Sequence, residues 1–385
     1  MRISVESLPQ TWDAQHDEAV IAATIEQSIW ADRLGFDAVF LPEHHFHGYA
    51  PAGADPFQIG AHLAPQLTQA WLGMAVVVVP THHPVRLVEQ MNLLDHLAKG
   101  KVIFGIGSGA TAQEGIGFGL NTRDQQTYVS AENLAIAEQL WDKTLDDPAI
   151  TFETKYYRGI VLERIVPAPY RKRRPHLMAV GLRDESIERA ARNGWPVFLP
   201  YSGDFQLLKK ALHFYRQRLA AANHGPETLA HAMGWTTHTV QGIWVAETDA
   251  QAFADMMVAL EAYQRFADRR YRFNRVAEEI GKPERRFVRP PAPTPEFYET
   301  YCLWGSPDTI AAHFQKFADI GVGNLLLCFN NTLYDADRKH VTEKSMRLFA
   351  EQVMPRLRRN VTPLDPLAID LGVTAPADQA PALTG

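Results

Sequence analysis

Short apolar runs alternate with longer stretches of helical spacing along the chain. Residues 3–6 read as a first strand, and 18–34 as a helix stopping at Gly35, a residue suited to a helix C-terminus. A strand over 37–41 leads to a helical stretch at 56–67. The continuous apolar run 72–79 predicts a strand buried on both faces. A helix over 85–98 ends at Lys99 and Gly100, a fourth strand covers 102–106, and a long helix covers 125–145. Beyond it, 156–166 alternates like a strand of a surface hairpin. Strands at 177–180, 197–199, 236–246 and 325–329 are each followed by helical spacing, at 184–193, 204–223, 249–270 and 340–357.

Eight strand–helix alternations predict an α/β fold, a (β/α)8 TIM barrel, with a doubly wound sheet as the alternative. One barrel domain is expected over 1–359. An Arg- and Pro-rich stretch at about 269–300, between strands seven and eight, reads as an insertion or lid. The Pro- and Ala-rich stretch 360–385 reads as a flexible tail.

Composition narrows the partners. With 38 Lys and Arg against 44 Asp and Glu, the net charge of -6 argues against a generally basic surface for nucleic acid or anionic membrane. No signal peptide is read at the N-terminus, and the most apolar stretch, 74–80, is too short to span a bilayer. Two cysteines, Cys302 and Cys328, fit a reducing compartment, so a cytoplasmic protein is expected.

A barrel carries its chemistry at the C-terminal strand ends. Strand two runs into Glu43, His44, His45, Phe46 and His47, and strand three into Thr81, His82 and His83. Successive side chains diverge, so one histidine of each pair can serve packing alone. A metal hydrolase site is not expected, because strand one (Ile3, Ser4, Val5, Glu6) has no His-x-His and strand eight ends on Cys328, Phe329 and Asn330 rather than Asp.

Gly105, Gly107 and Ala110 satisfy a dinucleotide-type spacing. Gly115, Gly117 and Gly119 read as a continuing loop instead of the helix that fingerprint needs, so the glycines are read as letting backbone approach a flat ligand. After strand five, Gly181, Arg183 and Ser186 lead into a helix start, which suits an anion; capping by Asp184 is the alternative.

Taken together, these segments resemble the bacterial luciferase-like flavin monooxygenases, above all their luciferase α-subunit branch. The matching residues are Gly35, Phe36 and Asp37; Glu43, His44, His45 and Phe46; the run from Val79 to Arg86; Asn92, Leu93, Leu94 and Asp95; Gly305, Ser306 and Pro307; and Val353, Met354 and Pro355. The likeness runs in order over roughly 1–358. It implies a barrel that binds reduced FMN supplied by a separate flavin reductase, with O2 forming a C4a-peroxyflavin that oxygenates a small organic substrate.

On that resemblance His44 is the acid/base group, with His45 and His82 in support. A cis peptide at Ala75–Val76 lies under the flavin ring, beside Gly107 and Ser108. Val180, Gly181, Leu182, Arg183 and Ser186 take the phosphate side, and Tyr201 lies near the flavin. Gly107 stands where luciferase α has a reactive cysteine, and Ser108 where it has a phosphate-binding arginine; Arg183 is read as replacing that charge. These departures point away from light emission and a long-chain aldehyde. A homodimer is expected. The alternatives are an F420-dependent oxidoreductase on the same barrel and a non-catalytic flavin-binding subunit.

Overall fold

The computed structural model describes residues 1–11, 13–46, 50–109, 112–120, 123–170, 174–181, 183–199, 204–270, 302–329 and 334–359. The expected lid beyond 270 and the tail at 360–385 lie outside the described residues, as do His47, Leu182 and Tyr201. In chain order the elements are β1 (Arg2–Glu6), α1 (Asp17–Arg33), β2 (Ala38–Leu41), α2 (Pro56–Leu63), β3 (Trp71–Val78), α3 (Pro84–Leu97), β4 (Val102–Gly107), α4 (Ala112–Gly117) and α5 (Arg123–Asp142). They continue with β5 (Ile150–Glu153), β6 (Arg158–Val161), β7 (His176–Val180), α6 (Asp184–Asn193), β8 (Val197–Leu199), α7 (Phe205–Ala221), α8 (Pro226–Gly234), β9 (Thr237–Val245) and α9 (Asp249–Arg270). The last are β10 (Leu303–Gly305), α10 (Pro307–Asp319), β11 (Asn324–Phe329), α11 (Lys339–Leu348), a π-helical turn at Phe349–Val353, and α12 (Met354–Arg359).

β1, β2, β3, β4, β7, β8, β9 and β11 pair in parallel, and the β8–β9 and β11–β1 pairings close them into an eight-stranded barrel. The expected fold class is therefore found. β5 and β6 form an antiparallel hairpin outside it, as the alternation at 156–166 predicted. β10 adds a short parallel strand against β9 that the sequence reading did not resolve.

Local chemistry explains the element ends. Asp55 accepts from the N–H groups of Phe57 and Gln58 at 3.0 and 3.1 Å, with Pro56 opening α2. Lys99 and Gly100, both at positive φ, turn the chain from α3 into β4. The expected helix over 340–357 divides into α11, the π turn and α12. The glycine-rich stretch from 115, expected as loop, is partly helical. α4 covers Ala112–Gly117, and Leu120 N–H closes it by donating to Gly115 O at 2.7 Å.

Inside the barrel, Ala38, Phe40, Ile103, Met178, Phe198, Trp235 and Leu326 fill the lumen. Beside them Ser4 Oγ donates to Asn324 Oδ1 at 2.8 Å, and Asn324 Nδ2 donates to Thr237 Oγ1 at 3.0 Å. Ser4 thus points inward, and strand alternation turns Glu6 inward at the upper end of β1. The larger apolar cluster lies between strands and helices. It leaves the upper mouth as the place for polar side chains.

Candidate active site

The segment after β2 supplies Glu43, His44 and His45, and the turn after β3 supplies Thr81 and His82. His45, Thr81 and His82 converge on one buried carboxylate, that of Glu43. Glu43 Oε2 accepts from Val78 N–H at 2.8 Å, His45 Nε2 lies 3.0 Å from Oε1, and His82 Nε2 lies 3.1 and 3.0 Å from Oε1 and Oε2. Thr81 Oγ1 stands 2.9 Å from Glu43 Oε1 and 2.7 Å from the Val78 carbonyl, so its single proton is shared between them. Burial alone would push the Glu43 carboxyl up, but the hydrogen bonds from His45, His82 and Val78 together hold it down at about 2. Both imidazoles therefore carry a proton on Nε2. Asn133 of α5 pins the turn from behind, donating to His82 O at 2.9 Å.

His44 turns the other way. Its Nδ1 lies 2.9 Å from Glu114 Oε1, and the same oxygen accepts the His45 backbone N–H at 2.9 Å. Glu114, almost wholly buried in α4, is thus an acceptor that fixes the His44 proton on Nδ1 and leaves Nε2 as the basic ring nitrogen. α4, formed where a loop was expected, delivers Glu114 to the histidines. Phe46, at φ 66, swings outward onto Phe118, with ring centroids 5.4 Å apart, and His45 meets Phe118 edge-on at 4.8 Å. His83 has no part in the mouth. It accepts from Val85 N–H at 3.3 Å as the cap of α3, and its ring packs on Phe152 and Tyr157 of the outer hairpin region.

The adjoining wall is bare of bulk. A cis peptide joins Ala75 and Val76, where β3 shifts register against β4 between Met74 and Val77. A Cβ on Gly105 would run into the Met74 carbonyl, so this glycine serves approach between strands. One on Gly107 would come 3.2 Å from Val76 Cγ2, which keeps the surface beside Ala75, Val76 and Ser108 flat. Farther round, β7 ends at the half-buried Val180. Gly181 sits at φ +124 with only Ser186 Oγ, 3.9 Å away, near its missing Cβ.

Arg183, not Asp184, occupies the cap position of α6 and makes no side-chain cap bond there. Its Nη1 donates to Thr127 Oγ1 of α5 at 3.2 Å, so it spans the gap between two helices. Asp184 and Glu185 make the first turn of α6 acidic, which makes the Arg183 charge more valuable for any anion held there. An open cradle at Gly181, a helix start and a flat wall could together hold a planar ring with an anionic tail.

Sequence reasoning missed Glu43 and Glu114 as working groups. Glu43 stood inside the quoted motif and could have been found there; Glu114 lay in a glycine-rich stretch without periodicity. Among the described residues, no three His, Cys, Asp or Glu side chains are grouped to hold a metal ion. Both cysteines are free thiols. No described helix is long and apolar enough to cross a membrane.

A sequence model of luciferase-like monooxygenases matches residues 1–324. The alkanal monooxygenase alpha chain of Photorhabdus luminescens is 25% identical over 207 residues, 54% of this chain and 55% of that one. The chain thus spans about half the length of the curated relatives it matches. Among solved structures, an FMN complex of the oxygenating constituent of 3,6-diketocamphane monooxygenase, a type II Baeyer–Villiger monooxygenase from Pseudomonas putida, superposes with a TM-score of 0.72 at 20% identity. The superposition covers 92% of this chain and 98% of that one. An F420-dependent secondary alcohol dehydrogenase bound to an F420–acetone adduct gives 0.64 at 15% identity, covering 93% and 99%. At such identities the likeness is one of fold.

Proposed function

Since the chain belongs to the luciferase-like monooxygenase family, we propose that it is an FMN-dependent monooxygenase of the two-component kind, acting in the cytoplasm on a small organic substrate with reduced FMN delivered by a separate reductase. The observation that carries this reading is the His44–Glu114 pair at 2.9 Å on the barrel rim, beside a flat wall suited to a ring. Bound reduced FMN supplies the activation of O2 for transfer of one oxygen atom.

The chain's own residues do the rest. His44 Nε2 takes and returns the proton, and Glu114 stabilises the imidazolium through Nδ1–H. Glu43 fixes His45 and His82 with their Nε2–H groups turned to it. Ala75, Val76, Gly107 and Ser108 support the ring, and Val180, Gly181, Arg183 and Ser186 receive the phosphate. Arg183→Ala is expected to weaken FMN binding about tenfold in a fluorescence titration, the loss of one charge-assisted contact. Leu93 and Leu97, exposed one helical turn apart on α3, support a homodimer.

The test is stopped-flow absorbance after mixing protein and photoreduced FMN with oxygenated buffer. Oxidised-flavin absorbance should return more slowly than for free FMN, and His44→Ala should change that rate. Reoxidation at the free-FMN rate in both proteins would overturn the reading. The F420-dependent neighbour of the same fold keeps a second reading open, hydride transfer with a deazaflavin. Anaerobic turnover with reduced F420 would favour it.

A further inference from the structure

The mouth has a second wall, formed by the upper ends of β1, β11 and β9, which continues from β2 on the side away from β3 in the barrel order. Glu6 ends β1 there, and Cys328 Sγ of β11 donates to its Oε2 at 3.3 Å. No ion pair involving Glu6 occurs among the described residues; its hydrogen-bonding partner is this thiol. Leu8 and Ala50 pack with Cys328 and make the surroundings apolar. Yet the residue is not wholly sealed in: Glu6 keeps 7% of its surface accessible, and Oε1, the oxygen that the thiol does not contact, is not among the buried, unpartnered polar atoms.

The neighbouring strand opens toward it. β9 and β11 lose register between Leu327 and Phe329, so Gln241 and Gly242 together oppose Cys328. Gln241 belongs to the same inward row as Thr237, and it is the exposed position in an otherwise buried strand. An exposed side chain on the inner face of a barrel strand means room in the mouth. Gln241 therefore borders open space at the mouth, with the buried Glu6 and Cys328 on the same inner face, and none of the three serves the histidine network described above.

We propose that Glu6 is a specificity-determining residue of the mouth, whose carboxyl hydrogen-bonds the carbonyl oxygen of an uncharged substrate on the β1–β11 wall. This deepens the monooxygenase reading and rests on it, since it takes the mouth as the substrate chamber. The chemistry selects a neutral ligand. Burial pushes the Glu6 carboxyl up to about 8, so at neutral pH it is an acid with an O–H to donate. Burial also pushes the Cys328 thiol well up, so the pair holds no charge to offer a cation. A cationic substrate would require Glu6 to ionise in an apolar pocket, and desolvating both charges offsets their attraction. A carbonyl oxygen requires neither.

Direct binding tests this apart from oxygen chemistry. Cyclohexanone, camphor and cyclohexylammonium are titrated against protein loaded with oxidised FMN, and binding is followed by ligand-observed NMR. At least one ketone should bind the wild-type protein better than the ammonium probe. Glu6→Leu should weaken it about tenfold, the loss of one hydrogen bond to a buried acceptor, while Glu6→Gln, which keeps a donor, should hold most of the affinity. FMN titration of each variant checks that the barrel is intact. Equal ketone binding by wild-type and Glu6→Leu proteins, tighter binding of the ammonium probe, or no ketone binding at all would overturn the proposal. Failure of the monooxygenase reading shows elsewhere, in the stopped-flow trace, with ketone binding untouched.

Discussion

Glu43 and Glu6 are both glutamates, both buried, and both stand at C-terminal strand ends of one barrel, yet their carboxyls are shifted in opposite directions. Glu43 is ringed by Val78 N–H, His45, His82 and Thr81, and is held down at about 2. Glu6 has a thiol, and burial pushes it up to about 8. Burial is common to the two and raises both. What differs is the supply of donors, and with it the chemistry: an anion that positions imidazoles on one wall, a neutral acid on the other.

The largest test of this contrast is Glu43→Leu. It leaves two imidazole N–H groups and the Val78 N–H without an acceptor, so a loss of about 3–5 kcal/mol in urea-unfolding stability is expected. A neutral change would mean the network contributes nothing.

The two carboxyls should also bend the stability–pH curve in opposite senses. Glu43, depressed in the fold, contributes stability that is complete above its ordinary 4.5 and is lost as pH falls toward about 2. Glu6, raised in the fold, binds a proton that the unfolded chain has released between 4.5 and about 8, so it lowers stability as pH rises through that window. Its slope approaches about 1.4 kcal/mol per pH unit at most. Glu6→Gln should flatten this stretch, leave the acid limb unchanged, and remove a protonated-carboxyl band from the infrared spectrum near neutral pH. A band that persists would assign the acid to another residue.

His82→Ala sharpens the comparison from the other side. With one donor gone the Glu43 carboxyl should rise, moving the acid limb to higher pH and costing about 1–2 kcal/mol in the same unfolding measurement. The smallest effect belongs to Cys328→Ser. A hydroxyl donates more strongly than a thiol, so the midpoint of the Glu6 infrared band should fall, by an amount worth under about 1 kcal/mol. An upward movement would show that Cys328 acts on Glu6 through packing rather than as a donor.

Much of this molecule was legible in its residues. Apolar periodicity located α6, β8 and α9 at their observed bounds, because each is a simple local pattern between clear stops. The motif at 43–46 marked His44 before any geometry was known. Five elements escaped for local reasons: β5 and β10 are four and three residues long, α4 is glycine-rich, α8 is a short helix between the expected helix at 204–223 and the strand at 236–246, and α10 follows a stretch without strand–helix rhythm. Their places are set by neighbours, as when Glu114 in α4 meets His44 across 70 positions of sequence.

The sequence by itself determined the order of strands and helices, hence the barrel and the rim on which polar residues gather, since those follow from local periodicity and the closure of parallel strands. Only the tertiary structure decided which histidine of each pair turns to the mouth, and which buried glutamate is charged. Those outcomes depend on groups delivered by other strands: Val78 lies 35 positions from Glu43, and Cys328 lies 322 from Glu6. A carboxyl's charge is set by the donors within hydrogen-bond reach, and proximity of that kind exists only once the barrel has closed.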